Sequence, residues 1–554
     1  LPASGNWRWT GLEIAWIFLI FFLIAGGQPP DVGEAHYLAK AKHYWNPSWC
    51  AGDLFLESRD AHWSFYWVFG WVARYVSLPA SAWIGRTLIW GLLAWSWQRL
   101  SWAVVPRPLW SLLSAGLMLL FLRNFHLAGE WIVGGVEAKG FAYPLVFLAL
   151  EAMVRGRWRA ALLLAGGAGA FHVLVGGWTV VAIGIAWVLA GEERPGVTSL
   201  LPAALGGFVL ALPGLIPAVA LNWGVPKDVA REAARIYVFD RLSHHLVFHR
   251  FPVVNQLRFT LLLAAWLPLA WSLRREVGVR RLQFVVGGAL LIALVGVVID
   301  QAAVIDMNFS GKTADEFQRG IAGLLRYYWF RLSDALLPVG VSLGIVWWLA
   351  RWQQTRPATG NWLLIPAILL AAANVADVGY WRSRQPLPGA ILQPRPTPDS
   401  DAIWWLGQRP AAHLDAVTAQ QWASDWKTAC AWIAENTPHD AKFITPREQQ
   451  TFKWYAGRAE IANWKDVPQD AASLLEWRNR IKALYPSTRQ HHRLDLAAFS
   501  DLELRDLARQ FQADYLVIDH TRSPRPVRLP QVFLIAHEGK PSFAVYRPPS
   551  SKSP

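Results

Sequence analysis

Charge is scarce in this chain, and cysteine and methionine are nearly absent. Asp, Glu, Lys and Arg make up 17% of the 554 residues, against about a quarter in an average soluble domain. That shortage excludes an ordinary soluble enzyme, a disordered protein and a coiled coil. The two cysteines, Cys50 and Cys430, form no CxxC pair, so nothing supports a zinc site or a thioredoxin-like motif. Both fall in segments expected outside the cytoplasm, where a disulfide and two free thiols are both permitted. Walker loop, GxGxxG fingerprint and HExxH are missing, which argues against a nucleotide-driven pump or an HExxH-type metallohydrolase. No fixed-period repeat is present, so an inverted-repeat transporter gains no support.

What the chain has instead is apolar sequence. Hydrophobic residues reach 54% and the mean hydropathy is +0.22. They clump at roughly 11–26, 79–97, 109–122, 141–154, 160–171, 174–190, 199–218, 257–272, 283–299, 332–350 and 362–378. A helical crossing takes about 20 residues, so these runs predict a polytopic membrane protein of about eleven spans. The first run is too long, and lacks the small-residue cleavage site, to be a removed signal peptide. Many of the 35 Trp residues lie near run ends, where an indole keeps its ring in acyl chains and its N–H among headgroups.

The net charge of +14 reads as a topology signal rather than a nucleic-acid footprint. Arg8, then Arg99 and Arg107, then Arg155, Arg157 and Arg159, then Arg274, Arg275, Arg280 and Arg281, then Arg351 and Arg356 fill one alternating set of loops. The other set, 27–78, 123–140, 219–256 and 300–331, is long and mixed in charge. Positive-inside logic puts the arginine set and the N-terminus in the cytoplasm, and the C-terminal segment on the outer face of the cytoplasmic (inner) membrane. Residues 1–379 then form the membrane domain and 380–426 a Pro- and Trp-rich linker. Residues 427–548 form a small soluble α/β domain, and 549–554 a tail. In that domain "DWKTACAWIAENTP", 470–484 and 500–511 carry helical spacing. "DAKFITP" reads as a short strand, and "ADYLVID", "QVFLIAH" and "SFAVYR" read as buried strands.

The first outer loop is dense in ionisable groups: Asp31, Glu34, His36, Lys40, Lys42, His43, Asp53, Glu57, Arg59, Asp60 and His62. "EAHYLAKAKHYW", from Glu34, predicts a helix lying on the membrane surface, with Ala35, Leu38, Ala39 and Lys42 on one side. Two readings are open. One is a solvated loop with an amphipathic helix. In the other, Asp31 and Glu34, a few residues beyond the first span, sit at headgroup level and act as bases toward a hydroxyl.

Acidic residues opening the first outer loop, the "EAHYLAKA" helix and a soluble outer domain together resemble the GT-C superfamily of integral-membrane glycosyltransferases. The segment "CAWIAENTPHDAKFITPREQQTFKWYAGRAEIANWKDVP" also looks like the outer domain of uncharacterised bacterial members. The resemblance implies a GT-C-like helical domain and a polyprenyl-phosphate-linked sugar donor drawn from the membrane lipids. It implies inverting transfer to an acceptor (glycan, lipid or protein) on the outer side. A divalent metal is left open, without a ligand set. Asp31 or Glu34 is then the expected base, with Asp60 third, positioned by Arg59 and His62. His36 and Lys40 are counted with the substrate-facing groups. Arg326 and Arg331 are the expected phosphate ligands, because a guanidinium bonds two oxygens at once; the bland alternative pairs Arg331 with Asp334 at i,i+3.

Glu137 and Lys139, near Glu130 in a glycine-rich loop, make either a ligand contact or a turn. His172 reads as packing. His244 and His245 read as a cap on the lipid-sugar headgroup or an interfacial anchor, and His245 with His249 as a weak metal pair. In the outer domain Trp454, Tyr455, Arg458, Trp464 and Lys465 are either a sugar-stacking face or core. The rival functions are a non-catalytic membrane subunit and a lipid or solute transporter.

Overall fold

A computed structural model describes residues 7–310, 313–384, 387–391, 416–486, 496, 499–522 and 525–549. All eleven apolar runs are helical: Trp7–Ala25, Leu78–Val104, Trp110–Asn124, Ala138–Val154, Trp158–Phe171, Val173–Leu189, Val197–Ala220, Val253–Ser272, Val277–Ser310, Arg331–Thr355 and Pro357–Arg384. Among the described residues five helices are long and apolar enough to cross a bilayer: Val197–Ala220, Val253–Ser272, Val277–Ile305, Arg331–Thr355 and Pro357–Arg384. The chain is thus mainly helical, with apolar helices of membrane-spanning type. Leu201, Leu205, Phe208, Leu257, Leu261, Leu369 and Leu370 are exposed on three of them, the outward apolar face that lipid rather than water would cover.

Polar anchors sort the loops to two ends of the bundle. In helix Ala138–Val154, buried Glu151 accepts from Arg155 (2.6 Å), Arg157 (2.9 Å) and Arg99 (3.2 Å). Arg107 donates to Gln353 at the end of helix Arg331–Thr355. These arginine loops lie at one end. The other end of each helix, at Lys139 and Arg331 respectively, meets the long mixed-charge loops. Twelve residues separate Lys139 from Glu151, roughly 18 Å of helix.

The C-terminal region is a five-stranded sheet in the order β2-β1-β3-β5-β4, made of Lys442–Ile444 (β1), Ala459–Glu460 (β2), Tyr515–Asp519 (β3), Gln531–His537 (β4) and Lys540–Tyr546 (β5). β1 pairs in parallel with β2 and β3; β5 is antiparallel to β3 and β4. Strand alternation divides the core. Phe443, Tyr515, Val517 and Phe543 pack under helices Ala416–Asn436 and Phe452–Ala456 with Trp426, while Ile444, Leu516, Ile518 and Ala544 pack against Ala471–Leu484 and Asp501–Gln510 with Trp477. "QVFLIAH" departs from its expected burial: β4 is the sheet edge, with Val532 and Leu534 exposed. Of the linker, 380–384 belong to helix Pro357–Arg384 and 416–426 to helix Ala416–Asn436. Residues 385–386 and 392–415 of it, and 550–554 of the tail, lie outside the described residues. Cys50 and Cys430 are both free and buried.

The first outer loop, 27–78, named for its expected side, and the C-terminal domain share a buried charge cluster. Lys453 Nζ lies 2.5 Å from both Glu460 and Asp466 and 3.3 Å from Asp53 of the loop. His36 bonds Asp466, Asp53 accepts from the Glu460 N–H, and Thr445 and Asn463 complete the shell of Glu460. Replacing Lys453 by Met strands three buried carboxylates and is expected to cost about 3–5 kcal/mol, read as a lower unfolding temperature of the full chain. Burial pushes the Glu460 carboxyl up to about 6, against the pull of Lys453 and with the push of Asp466 and Asp53. A carboxyl raised in the fold stabilises below its unfolded pKa and loses that contribution as pH rises through the folded one. Wild type is therefore expected to lose more stability than Glu460→Gln between about pH 4.5 and about pH 6.5; equal losses contradict this.

Candidate functional site

At the loop end of the bundle the first outer loop is an interior element. Helix Glu34–Trp45 forms as the sequence predicts, but it does not lie on a surface. Glu34, Ala35, Leu38, Ala39, Lys40, Ala41 and His43 are all buried, between helix Leu78–Val104 on one side and Phe452–Ala456 of the C-terminal domain on another. The solvated-loop reading fails with it.

Glu34 is the fixed point. It is fully buried and accepts from Arg86 Nε (2.5 Å) and Nη2 (2.6 Å), from the Asp31 N–H (2.7 Å) and from the Val136 N–H (3.0 Å). Both oxygens are taken, so the expectation of Glu34 as a base is corrected to that of an anchor. Arg86, a lone charge inside an apolar run, was the available signal for such a partner.

The anchor brings two acidic loops together. Asp31 is half-buried, and the segment 387–391 returns across it, with Ala390 N–H bonded to Pro30 O. A Cβ on Gly389 would stand 2.5 Å from Asp31 Oδ1. Glu137, from the second outer loop, lies against Gly33, where a Cβ would meet its Oε1 at 1.7 Å; only glycine admits that approach. Burial raises the Glu137 carboxyl above the ordinary range, Lys139 opposes, and Glu130 and Asp31 add to the rise.

Cations stand beside this pair. Lys139 Nζ is 3.3 Å from Glu130 and 3.7 Å from Glu137, and 3.7 Å from the Trp131 ring centroid. Arg331 Nε is 3.1 Å from Glu130, its Nη1 is 2.8 Å from His172 Nε2, and its guanidinium lies over Tyr328. Tyr143 donates to Glu130. The Arg331–Asp334 pairing is not formed: Asp334 accepts instead from the N–H groups of Leu127 (2.7 Å), Ala128 (2.8 Å) and Glu130 (3.3 Å). His172, read as packing, belongs to this cluster. So do Tyr37 and Tyr143, which sequence reasoning missed; Tyr143 follows Lys139 by four residues and so shares its helix face.

Asp60 lies in a neighbouring wall. It accepts from Tyr66 Oη and the His62 N–H, with Lys40 Nζ at 3.4 Å. Burial pushes its carboxyl up, but Lys40, His62 and Tyr66 together hold it below the ordinary range, a poor setting for a base. Arg59 is exposed and does not position it; its N–H bonds Asp470 instead. Lys40 also donates to Phe55 O and Ser58.

Other candidates fall elsewhere. Arg326 ends helix Ala314–Leu325 with its N–H on Ala322 O, and it is not among the groups that Arg331 meets, which are Glu130, His172 and Tyr328. His245 bonds Ala128 O, and burial pulls it down to about 4; His244 stacks beside it. His249 bonds Asp300, so the two histidines share no helix face. Trp454 and Arg458 are buried, and Trp464 lies under Arg447 and Arg241, which favours core over a free stacking face. Among the described residues no three His, Cys, Asp or Glu side chains are grouped to hold a metal; Lys139 stands between Glu130 and Glu137 where a cation would.

A family model described as a domain of unknown function, DUF6798, matches residues 424–484. No curated protein matches the chain. The matched stretch supplies Lys453, Glu460, Asp466, Gln469 and Asp470, the side chains that meet the first outer loop.

Arg86→Met leaves Glu34 buried without its counter-charge and is expected to cost about 3–5 kcal/mol. The Glu34→Gln/Arg86→Met pair should recover part of that loss in a double-mutant cycle of unfolding temperatures; strict additivity contradicts the pairing.

Proposed function

We propose that the chain is a GT-C-type glycosyltransferase of the cytoplasmic membrane, moving a sugar from a polyprenyl phosphate to an acceptor hydroxyl. In this reading about eleven helices cross the bilayer, the N-terminus is cytoplasmic and the C-terminal domain lies outside. The exposed Trp67, Trp71 and Tyr75 then rest at the outer interface. The observation that carries the proposal is the junction of Asp31 and Glu137, from separate loops, with Lys139 and Arg331 at one end of the bundle.

The chemistry follows from those groups. A carboxylate takes the acceptor proton as the oxygen attacks the anomeric carbon. The carbon–phosphate-oxygen bond breaks, and its electron pair leaves with the polyprenyl phosphate. Glu137 suits the base, because a raised pKa brings it closer to the working pH. Asp31 orients the acceptor hydroxyl. Arg331 and Lys139 meet the charge that grows on the leaving phosphate.

Glu137→Gln and Asp31→Asn are expected to lower transfer from a polyprenyl-phosphate sugar at least about a hundredfold, with unfolding temperature held. Arg59→Ala should leave transfer unchanged. The wild-type rate should rise with pH through a range above that of an exposed glutamate, because the base works only once deprotonated. Unaltered transfer in the Glu137→Gln/Asp31→Asn double variant overturns the proposal.

A further inference from the structure

Between helix Glu34–Trp45 and the C-terminal domain lies a cavity of about 140 Å³ that the transfer chemistry does not use. Its floor is Tyr37, Lys40, Asp60 and Tyr66; His62 and Phe55 form a side; Lys465, Val467 and Gln469, all within the DUF6798 match, form the lid. The lid is fastened: Gln469 Oε1 accepts from the Ala61 N–H, and its amide donates to His62 Nε2 at 3.0 Å. Tyr37 Oη stands 3.3 Å from the same nitrogen.

The lining has a definite chemical taste. Its buried charges cancel, Lys40 against Asp60, so no cluster of cations awaits a phosphate. Beside that pair and the Lys465 ammonium of the lid, its polar groups are two phenols, the imidazoles of His36 and His62 and a carboxamide, which both give and take hydrogen bonds, His36 being already bonded to Asp466. One aromatic ring, Phe55, supplies an apolar wall. With Nε2 accepting, His62 carries its proton on Nδ1, and that buried nitrogen has no partner among the described residues, an unmet bond of the kind a polar ligand or water supplies. Burial holds the ring neutral by lowering its pKa. Tyr37 and His62 also border the transfer site, because His62 packs beside His172, the partner of Arg331.

We infer that this cavity is a subsite for an uncharged sugar ring, closed by residues 465–469 of the C-terminal domain. As the place where a reacting glycan sits, it rests on the transfer reading. As a binding site it does not. Dual donor–acceptor side chains match vicinal hydroxyls, and Phe55 matches a sugar's apolar face. The ring belongs either to a free glycan acceptor or to the lipid-linked donor.

The test uses the full chain in nanodiscs and saturation-transfer NMR with methyl α-mannoside and methyl β-glucoside. A second arm adds a polyprenyl-phosphate mannose as competitor. Binding of a methyl glycoside, weakened at least about tenfold by His62→Ala or Gln469→Ala, supports the subsite with a free glycan as its source. Displacement of the glycoside by the lipid-linked sugar supports the same subsite with the donor as its source. Val467→Trp fills the cavity from the lid without touching its polar groups and should abolish binding with the unfolding temperature held. No glycoside binding to wild type, or binding that Val467→Trp leaves intact, overturns the inference. Transfer is read separately: Glu137→Gln removes transfer and keeps glycoside binding, whereas wild type that binds glycosides but transfers nothing sinks only the transfer reading.

Discussion

The buried pair of Glu34 and Arg86 sets the geometry of everything at the loop end of this protein. Four donors converge on one carboxylate, from the helix Leu78–Val104, from Asp31 and from Val136. Three chain segments far apart in sequence are thereby tied at a single point. Burying two charges recovers its desolvation cost only when the bonds around them are complete, and here they are. The result is positional: with Glu34 fixed, Asp31 and Gly33 face the second outer loop, and Glu137 fits against Gly33 because no side chain intervenes.

The same logic governs the C-terminal domain, which is part of the site rather than an appendage. Lys453 neutralises carboxylates from both partners. The loop amides of Arg59 and Ala61 are satisfied by Asp470 and Gln469. An interface built on buried charge is costly to open, since each group parted from its partner is left desolvated. That the matched family stretch, 424–484, contains these contact residues fits a domain whose shape is fitted to a loop of this kind.

Much of the fold was legible because hydrophobic periodicity is a local property. Every apolar run is a helix, Glu34–Trp45 begins and ends where its spacing predicts, β1 and β3 lie within their expected segments, and β5 overlaps its segment but begins two residues earlier, at Lys540. What failed was non-local. Glu34 and Arg86 are 52 residues apart, and no spacing rule joins them, so from local sequence the anchor reads as a candidate base. Asp334 could be read from the helix only as an alternative partner for Arg331, its neighbour, whereas its partners are backbone amides of another loop. β4 was expected to be buried because its sequence is apolar, but sheet order makes it an edge. The helix of the first loop was laid on a membrane surface because nothing in its sequence reveals the domain that covers it.

The proposed function requires that the cations at the loop end of the bundle receive a lipid phosphate. An electron-microscopy reconstruction of the full chain in nanodiscs with a polyprenyl phosphate tests it directly. The account predicts phosphate density within hydrogen-bond reach of Arg331 or Lys139, beside Glu137. Density at the arginine-rich end near Glu151, or a lipid phosphate with no contact to either cation, contradicts it.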